Sequence, residues 1–181
     1  GHRTSCPAVF AAGDVVRGPA LPMTAQEQGR IAARVACDAH GAQPHTPAPA
    51  SVLTIPEVAF AGLRERDLAE MATPYERGLA HYRDLLRGDI AGDRVGLLKL
   101  LVHRETRRLL GVHIFGTAAA ELVHVGQMVM AAGLPVDHLA EGPYAEPAFA
   151  EAYRAAAIDA VRRMSDVGEA RPLGALSGHP A

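Results

Sequence analysis

The chain has 181 residues, with 18 Lys plus Arg against 20 Asp plus Glu and a formal net charge of -2. That balance removes the electrostatic reason to expect a nucleic acid or an anionic membrane surface as partner. Hydrophobic residues make up 49% and aromatic residues 4%, so the core has to come from Ala, Leu and Val, and small side chains require elements to approach closely. The two cysteines, Cys6 and Cys37, form no CxxC and suggest neither a zinc site nor a disulfide framework; two reduced, partly buried thiols are expected. No apolar run approaches the roughly 18 residues of a membrane span, and no charged segment precedes an apolar one as in a signal peptide. A cytoplasmic protein is the expectation, and the start without Met suggests a fragment.

Pro7-Ala8-Val9-Phe10-Ala11-Ala12 is a short apolar run that stops at Gly13-Asp14, which reads as a buried strand and a turn. Gly18-Pro19 and Pro22 then break the chain. A helix is expected over Thr24–His40, with Ile31 and Val35 on one face and Glu27, Arg30 and Arg34 on the other. Pro22 suits its start, where a missing N–H costs little. Residues 41–50 are Pro-rich and aperiodic, and read as an extended linker between two units.

The second unit is expected over 51–164. Val52–Ile55 and Glu57–Leu63 look like strand segments interrupted by Pro56, Arg64–Met71 like a short helix and Tyr75–Tyr82 like a strand. Val95–His103 and Leu109–Phe115 are β-rich runs, and the five polar residues between them make a hairpin. Ala118–Ala132 reads as a helix stopped by Gly133 and Pro135, and Phe149–Met164 as a second one. Strands in sequence followed by helices in sequence suggest an α+β domain with helices packed on an antiparallel sheet, preceded by a strand-helix unit of α/β type. The tail over 165–181 reads as disordered. His103, His113 and His124 lack ligand spacing and are expected in the core or an interface; Arg104, Arg107 and Arg108 read as a solvated turn.

The chemistry starts at Phe10-Ala11-Ala12-Gly13-Asp14-Val15. A Gly-Asp after a strand is by itself an ordinary turn, yet it also leaves a carboxylate at the strand end, where open α/β sheets bind ligands. The run Arg3-Thr4-Ser5-Cys6-Pro7-Ala8-Val9-Phe10-Ala11-Ala12-Gly13-Asp14-Val15-Val16-Arg17-Gly18-Pro19-Ala20-Leu21 resembles the second flavin-binding motif of the pyridine nucleotide-disulfide oxidoreductase family. The resemblance implies FAD as cofactor, with Asp14 holding a ribityl hydroxyl. Gly13 forms the turn, and Leu21, Pro22 and Met23 lie beside the flavin pyrimidine ring. Family members often give that ring a backbone N–H from the position of Pro22, which has none; the contact is lost or moves to Met23.

The resemblance continues through Thr54-Ile55-Pro56-Glu57-Val58-Ala59-Phe60-Ala61-Gly62-Leu63, which looks like the opening strand of the family's dimerisation domain. It runs on through the hairpin Gly96–Gly116 and the helix Ala119-Ala120-Glu121-Leu122-Val123-His124-Val125-Gly126-Gln127. The hairpin turn and this helix most resemble the soluble Si-specific transhydrogenase branch. By that resemblance 1–40 is the end of an FAD-binding domain and 51–164 is a dimerisation domain that forms a homodimer. Tyr153, Ala156, Ala157, Ala160 and Val161 offer a face for close packing in that dimer.

The stretch Pro143-Tyr144-Ala145-Glu146-Pro147-Ala148-Phe149-Ala150-Glu151 resembles the segment that in the family's disulfide reductases carries a His and a Glu. Those two act as an acid/base dyad on the other subunit's redox disulfide. Glu151 matches the Glu and Glu146 stands at the His position, which makes them the candidate catalytic residues. A carboxylate of ordinary pKa does not replace a His at pH 7, so ordinary disulfide reduction is disfavoured. The transhydrogenase branch also lacks the His. Cis peptides are implied at Ile55-Pro56 and Glu146-Pro147.

The implied parent moves hydride between NADPH and NAD+ through the flavin, with nicotinamide nucleotides as substrates. No GxGxxG is present, so the dinucleotide-phosphate loops are expected upstream and the isolated chain is expected to be inactive. A non-catalytic dimerisation module and a fragment of a disulfide or metal-ion reductase are the alternatives.

Overall fold

The computed structural model describes residues 2–16, 21–37 and 47–168. Five strands form one antiparallel sheet in the order β1-β2-β5-β4-β3, namely β1 (Ala50–Val52), β2 (Val58–Gly62), β3 (Tyr75–His81), β4 (Leu97–His103) and β5 (Leu109–Phe115). The period of two decides which face is buried. Ala59, Ala61, Leu98, Leu100, Val102, Val112 and Ile114 point to one face and are 2% exposed or less. Two helices cover that face, α4 (Ala119–Ala132) on β2 and β5 and α6 (Glu151–Gly168) on β3 and β4. The sheet is antiparallel with helices packed on it, the α+β class expected from the sequence.

The contact between α6 and β3 depends on small residues. A Cβ at Gly78 of β3 would overlap the Ala156 carbonyl oxygen and lie 2.8 Å from the Ala160 Cβ. Tyr153, Ala156, Ala157 and Ala160 are fully buried against this surface. This corrects the expectation that the same face, with Val161, forms the dimer contact. Its small side chains bring α6 onto a glycine of its own sheet.

Asp159 fixes the register of that packing. Its Oδ2 accepts the Leu79 N–H (3.1 Å), and the carboxylate also receives Arg163 Nε (2.8 Å) and Arg162 (2.9 Å). Burial alone would raise the Asp159 carboxyl, but these donors outweigh it and hold it below the usual carboxylate range.

Tyr153 ties α6 to α4. Its hydroxyl accepts the Gly126 N–H (3.0 Å) and donates to the Leu122 carbonyl (2.8 Å), so it sits within the backbone ladder of α4. Burial pushes this phenol up, which keeps it a donor. At the start of α4, a Glu57 carboxylate oxygen accepts the Ala120 N–H (3.1 Å), one of the donors a helix leaves free at its N-terminus. Gly133, at φ +63°, closes α4 in the left-handed conformation, where the sequence placed the stop.

Several boundaries differ from expectation. Pro7–Ala12 is not a buried strand: a single bridge joins Arg3 and Phe10, and Val9 is half exposed. Among the described residues this run pairs only with its own preceding turn, and one bridge does not make a ladder. Helix α1 spans Pro22–Ala36 with the proline in its first turn; residues 38–46, which hold the end of the expected helix and most of the linker, lie outside the described residues. The expected strand Val52–Ile55 is instead β1, ending at Val52, and Glu57–Leu63 shortens to β2. Both Ile55-Pro56 and Glu146-Pro147 are cis, as expected.

Helix α2 (Glu65–Glu70) falls inside the expected Arg64–Met71, with the Asp67 carboxylate accepting the Arg64 N–H (2.9 Å). The short helices α3 (Leu86–Ala91) and α5 (Asp137–Glu141) went unread, being too brief to show a helical period. Helix α6 begins at Glu151 and continues to Gly168, into the segment expected to be a disordered tail; 169–181 lie outside the described residues. Cys6 and Cys37 are free and exposed rather than partly buried. The basic turn is engaged: Arg104 binds Glu76 (2.7 Å) and Arg107 binds Asp137. No helix among the described residues is long and apolar enough to cross a membrane.

Because the folded Asp159 carboxyl lies below its unfolded value, its contribution to stability is present above about pH 4 and fades as pH falls through the folded value. Asp159→Asn is therefore expected to lower the urea midpoint at pH 7. Its difference from the wild type should shrink below about pH 4, as checked by urea melts across pH.

Candidate functional site

Leu21, Pro22 and Met23 open α1, and all three line a cavity of about 300 Å³. Across from them stand Ala50 and Ser51 of β1 and Val123 and His124 of α4. The cavity thus lies between the start of α1 and the β1–α4 side of the sheet layer. Leu21 is extended (φ -120°, ψ 139°) and offers no side-chain cap. The first helical bond runs from the Ala25 N–H to the Leu21 carbonyl (3.0 Å), so the Met23 and Thr24 N–H groups precede the ladder. The Thr24 Oγ1 in the same turn is buried without a hydrogen-bond partner. The Thr24 side chain lines a separate cavity with Glu27, Gln28, Ile31 and Pro47, so it is the first-turn N–H groups outside the helical ladder that suit the polar edge of a cofactor ring.

Gly13 and Asp14 sit on the other side of α1's entry. Gly13 adopts φ +84°, and its N–H donates to Gln28 Oε1 of α1 (2.7 Å). Its amide is thereby committed to holding the turn against the helix. Asp14 is exposed, its carboxylate accessible to an incoming hydroxyl, and neither residue lines the cavity. The structure therefore brings Leu21, Pro22 and Met23 together and leaves Gly13 and Asp14 beside them on the same helix entry.

His124 is the cavity's imidazole, and its orientation is fixed from behind. Gln127 Nε2 donates to the Pro47 carbonyl (3.3 Å), which turns Gln127 Oε1 toward His124 Nδ1 at 2.8 Å. An amide oxygen only accepts, so Nδ1 carries the proton and Nε2 is the remaining polar atom. Gln127 is 8% exposed, while His124 itself is exposed.

Glu146 and Glu151 lie near the start of α6. Glu151 Oε2 accepts the Ala148 N–H (3.0 Å) and so caps the turn that leads into the helix. Glu146 is paired with Arg154 (3.1 Å), whose other nitrogen donates to the Gly142 carbonyl (3.0 Å). The same guanidinium lies over the Tyr144 ring, 5.1 Å from its centroid. One arginine thus holds three points of the segment 142–146, and each carboxylate has its own partner. Sequence reasoning named both glutamates but neither Arg154 nor the place of His124 in the cavity wall. The His-x-x-Gln spacing on one helix face was the available signal for the latter; Arg154 carried none.

The uncovered face of the sheet forms a second candidate surface. Phe60 and His113 stack (ring centroids 6.2 Å apart), and His113 Nε2 donates to the Leu63 carbonyl (3.1 Å). Burial pushes the His113 imidazole down despite that bond. Lys99 beside it pairs with Glu65 of α2 (2.5 Å), and that donor is the main reason the Glu65 carboxyl lies low. Val58, Leu97 and Phe115 complete a shallow depression of about 210 Å³.

Residues 48–157 match the family described as "Pyridine nucleotide-disulphide oxidoreductase, dimerisation domain". A "Soluble pyridine nucleotide transhydrogenase" of Mycobacterium bovis is 45% identical over 163 residues, covering 90% of this chain and 35% of the relative. One of the same name from Hahella chejuensis is 42% identical over 168 residues, covering 90% of this chain and 36% of the relative. The chain thus spans about a third of the length of these relatives. Among solved structures, LpdA from Mycobacterium tuberculosis superposes with a TM-score of 0.77 at 24% identity, covering 90% of this chain and 35% of that one, which is a likeness of fold.

Arg154→Ala is expected to cost only about 1 kcal/mol of global stability, since its ion pair is partly exposed. Amides over 142–148 should nevertheless exchange several times faster while those of β4 and β5 keep wild-type rates, as read by hydrogen-exchange mass spectrometry.

Proposed function

The chain belongs to the pyridine nucleotide-disulphide oxidoreductase family, and from that premise we propose that it is the C-terminal part of an FAD-dependent NAD(P)+ transhydrogenase. The observation that carries this reading is the extent of the likeness. Identity of 45% to a transhydrogenase continues over 163 residues, beyond the dimerisation domain itself. In this reading 1–40 closes an FAD-binding domain, 41–50 connects, and 51–164 is the dimerisation domain. We also propose a cytoplasmic location for the parent protein; the relatives' printed name says soluble.

FAD would supply the hydride-carrying chemistry between NADPH and NAD+. The residues of this chain bind and orient. Asp14 accepts a ribityl hydroxyl from its exposed position at the turn, and Gly13 sets that turn through its bond to Gln28. Leu21, Pro22 and Met23 would hold the ring, with Pro22 lacking an N–H to give and Met23 offering its own. Glu146, held by Arg154, is proposed to face the partner subunit's flavin pocket as a fixed carboxylate, and Glu151 supports it by holding the turn at Ala148. Their separate partners suit a positional role better than shared proton transfer.

Homodimerisation is assigned to the uncovered sheet face. The small-residue face of α6 is consumed within the chain, whereas Phe60, Leu97, His113 and Phe115 remain incompletely covered. Phe115 is 41% exposed at the end of β5, and an apolar strip of this kind is stabilised by a second copy.

The reading is tested on the full-length parent by hydride transfer from NADPH to a thio analogue of NAD+, together with the visible flavin spectrum. Activity with a flavin spectrum is expected; a purified parent with neither refutes it. Asp14→Ala should weaken FAD retention by about 1.5–3 kcal/mol, the loss of a charge-assisted hydrogen bond, as measured by flavin release on dialysis. Phe115→Asp should raise the dimer dissociation constant by at least about 30-fold, as measured by light scattering across concentration, with the far-UV spectrum unchanged.

A further inference from the structure

We propose that His124 is a flavin-ring contact contributed by the dimerisation domain, and that Gln127 is the residue that positions it. The proposal rests on the FAD reading given above and names a residue on the second unit as part of that site.

Three observations combine. First, His124 lines the same cavity as Leu21, Pro22 and Met23, the segment assigned to the pyrimidine side of the ring, although it lies on α4, roughly a hundred residues later in the chain. The cavity volume, about 300 Å³, is at the lower limit of small-molecule sites and suits the edge of one ring system rather than a whole dinucleotide.

Second, the imidazole is oriented as functional imidazoles are, through a bond to the nitrogen that does not face the ligand. Pro47 fixes the Gln127 amide and Gln127 fixes the His124 tautomer. A buried glutamine is costly unless it has such work; Gln127 is the one buried polar residue among the described residues. Third, Nε2 has no hydrogen-bond partner among the described residues, so the oriented ring presents a vacant acceptor.

The pyrimidine edge of a flavin carries an N–H between two carbonyl oxygens. With Nδ1 carrying the proton toward Gln127, Nε2 is placed to accept from that N–H. The other lining side chains named here are apolar except Ser51, so His124 is the main polar side chain available to tell that edge from a purely apolar ring. This matters because Pro22 offers the ring no backbone donor. The contact therefore strengthens ring binding where the helix entry is weak.

The test uses the full-length parent, stripped of flavin and titrated with FAD by fluorescence quenching. The variants are His124→Leu, His124→Gln and Gln127→Leu, and each complex is also examined by visible absorbance. His124→Leu is expected to weaken FAD binding about tenfold and to shift the flavin absorbance bands. His124→Gln, which keeps an acceptor and a donor, should stay within about threefold of wild type. Gln127→Leu should fall between them with a thermal midpoint close to that of His124→Leu. Wild type that binds FAD alongside a His124→Leu variant with the same affinity and spectrum would overturn the proposal and leave the FAD reading intact. Equal losses in His124→Leu and His124→Gln without a spectral shift would also overturn it. Wild type that binds no FAD refutes the FAD reading, and this contact with it.

Discussion

The close approach of α6 to β3 is the constraint on which the rest of the structure depends. With aromatics at 4% of the sequence, few large rings are available to fill gaps between helix and sheet, and where α6 crosses β3 the helix comes down onto the backbone itself. Gly78 gives it the space and the alanines of α6 give it the surface. Asp159 then converts closeness into register, because a carboxylate that accepts the Leu79 N–H fits only one axial position of the helix. The start of α6 is thereby fixed relative to the sheet. The segment that carries Glu146 is held in turn to α6 by Arg154, so its placement descends from a glycine in the third strand.

Helix α4 also shapes the cavity at the entry of α1. Helix α4 is anchored at its first turn by Glu57 and along its length by Tyr153, and His124 lies between these two fixed points. A side chain on a helix restrained at both sides holds its direction without a bulky neighbour. The cavity therefore has one wall from the turn that follows Gly13-Asp14 and one from a rigid helix of the sheet layer.

The sequence showed elements where local pattern and long-range packing agree. Strand β5 and the Gly133 stop were legible because alternation and a left-handed glycine are local signals. The Pro7–Ala12 run failed as a strand because its apolar pattern says nothing about whether a ladder partner exists. The α6 alanines were read correctly as a close-packing surface and given the wrong partner, since a helical stripe does not say which backbone it meets. The site divided in the same way. Leu21–Met23 were named only through the resemblance of the preceding run to a flavin-binding motif, whereas His124 reaches the cavity only through the fold. The hold of Arg154 on 142–146 depends on the chain doubling back between α5 and α6, which no spacing encodes.

The Tyr153 hydroxyl inside α4 has a consequence for how this protein can change. A Cβ at Gly126 would come within 2.7 Å of Val112 Cγ1 and 3.1 Å of the Tyr153 oxygen. Residues 112, 126 and 153 therefore form one unit drawn from a strand and two helices. A larger residue at 126 needs both a smaller one at 112 and the removal of the phenol, and removal of the phenol strands two backbone groups in α4 unless the helix tightens. No single replacement along that route preserves both packing and hydrogen bonding. The three positions should accordingly drift as a set across homologous sequences, and a chain that has escaped from one member of the set should show the other two altered as well.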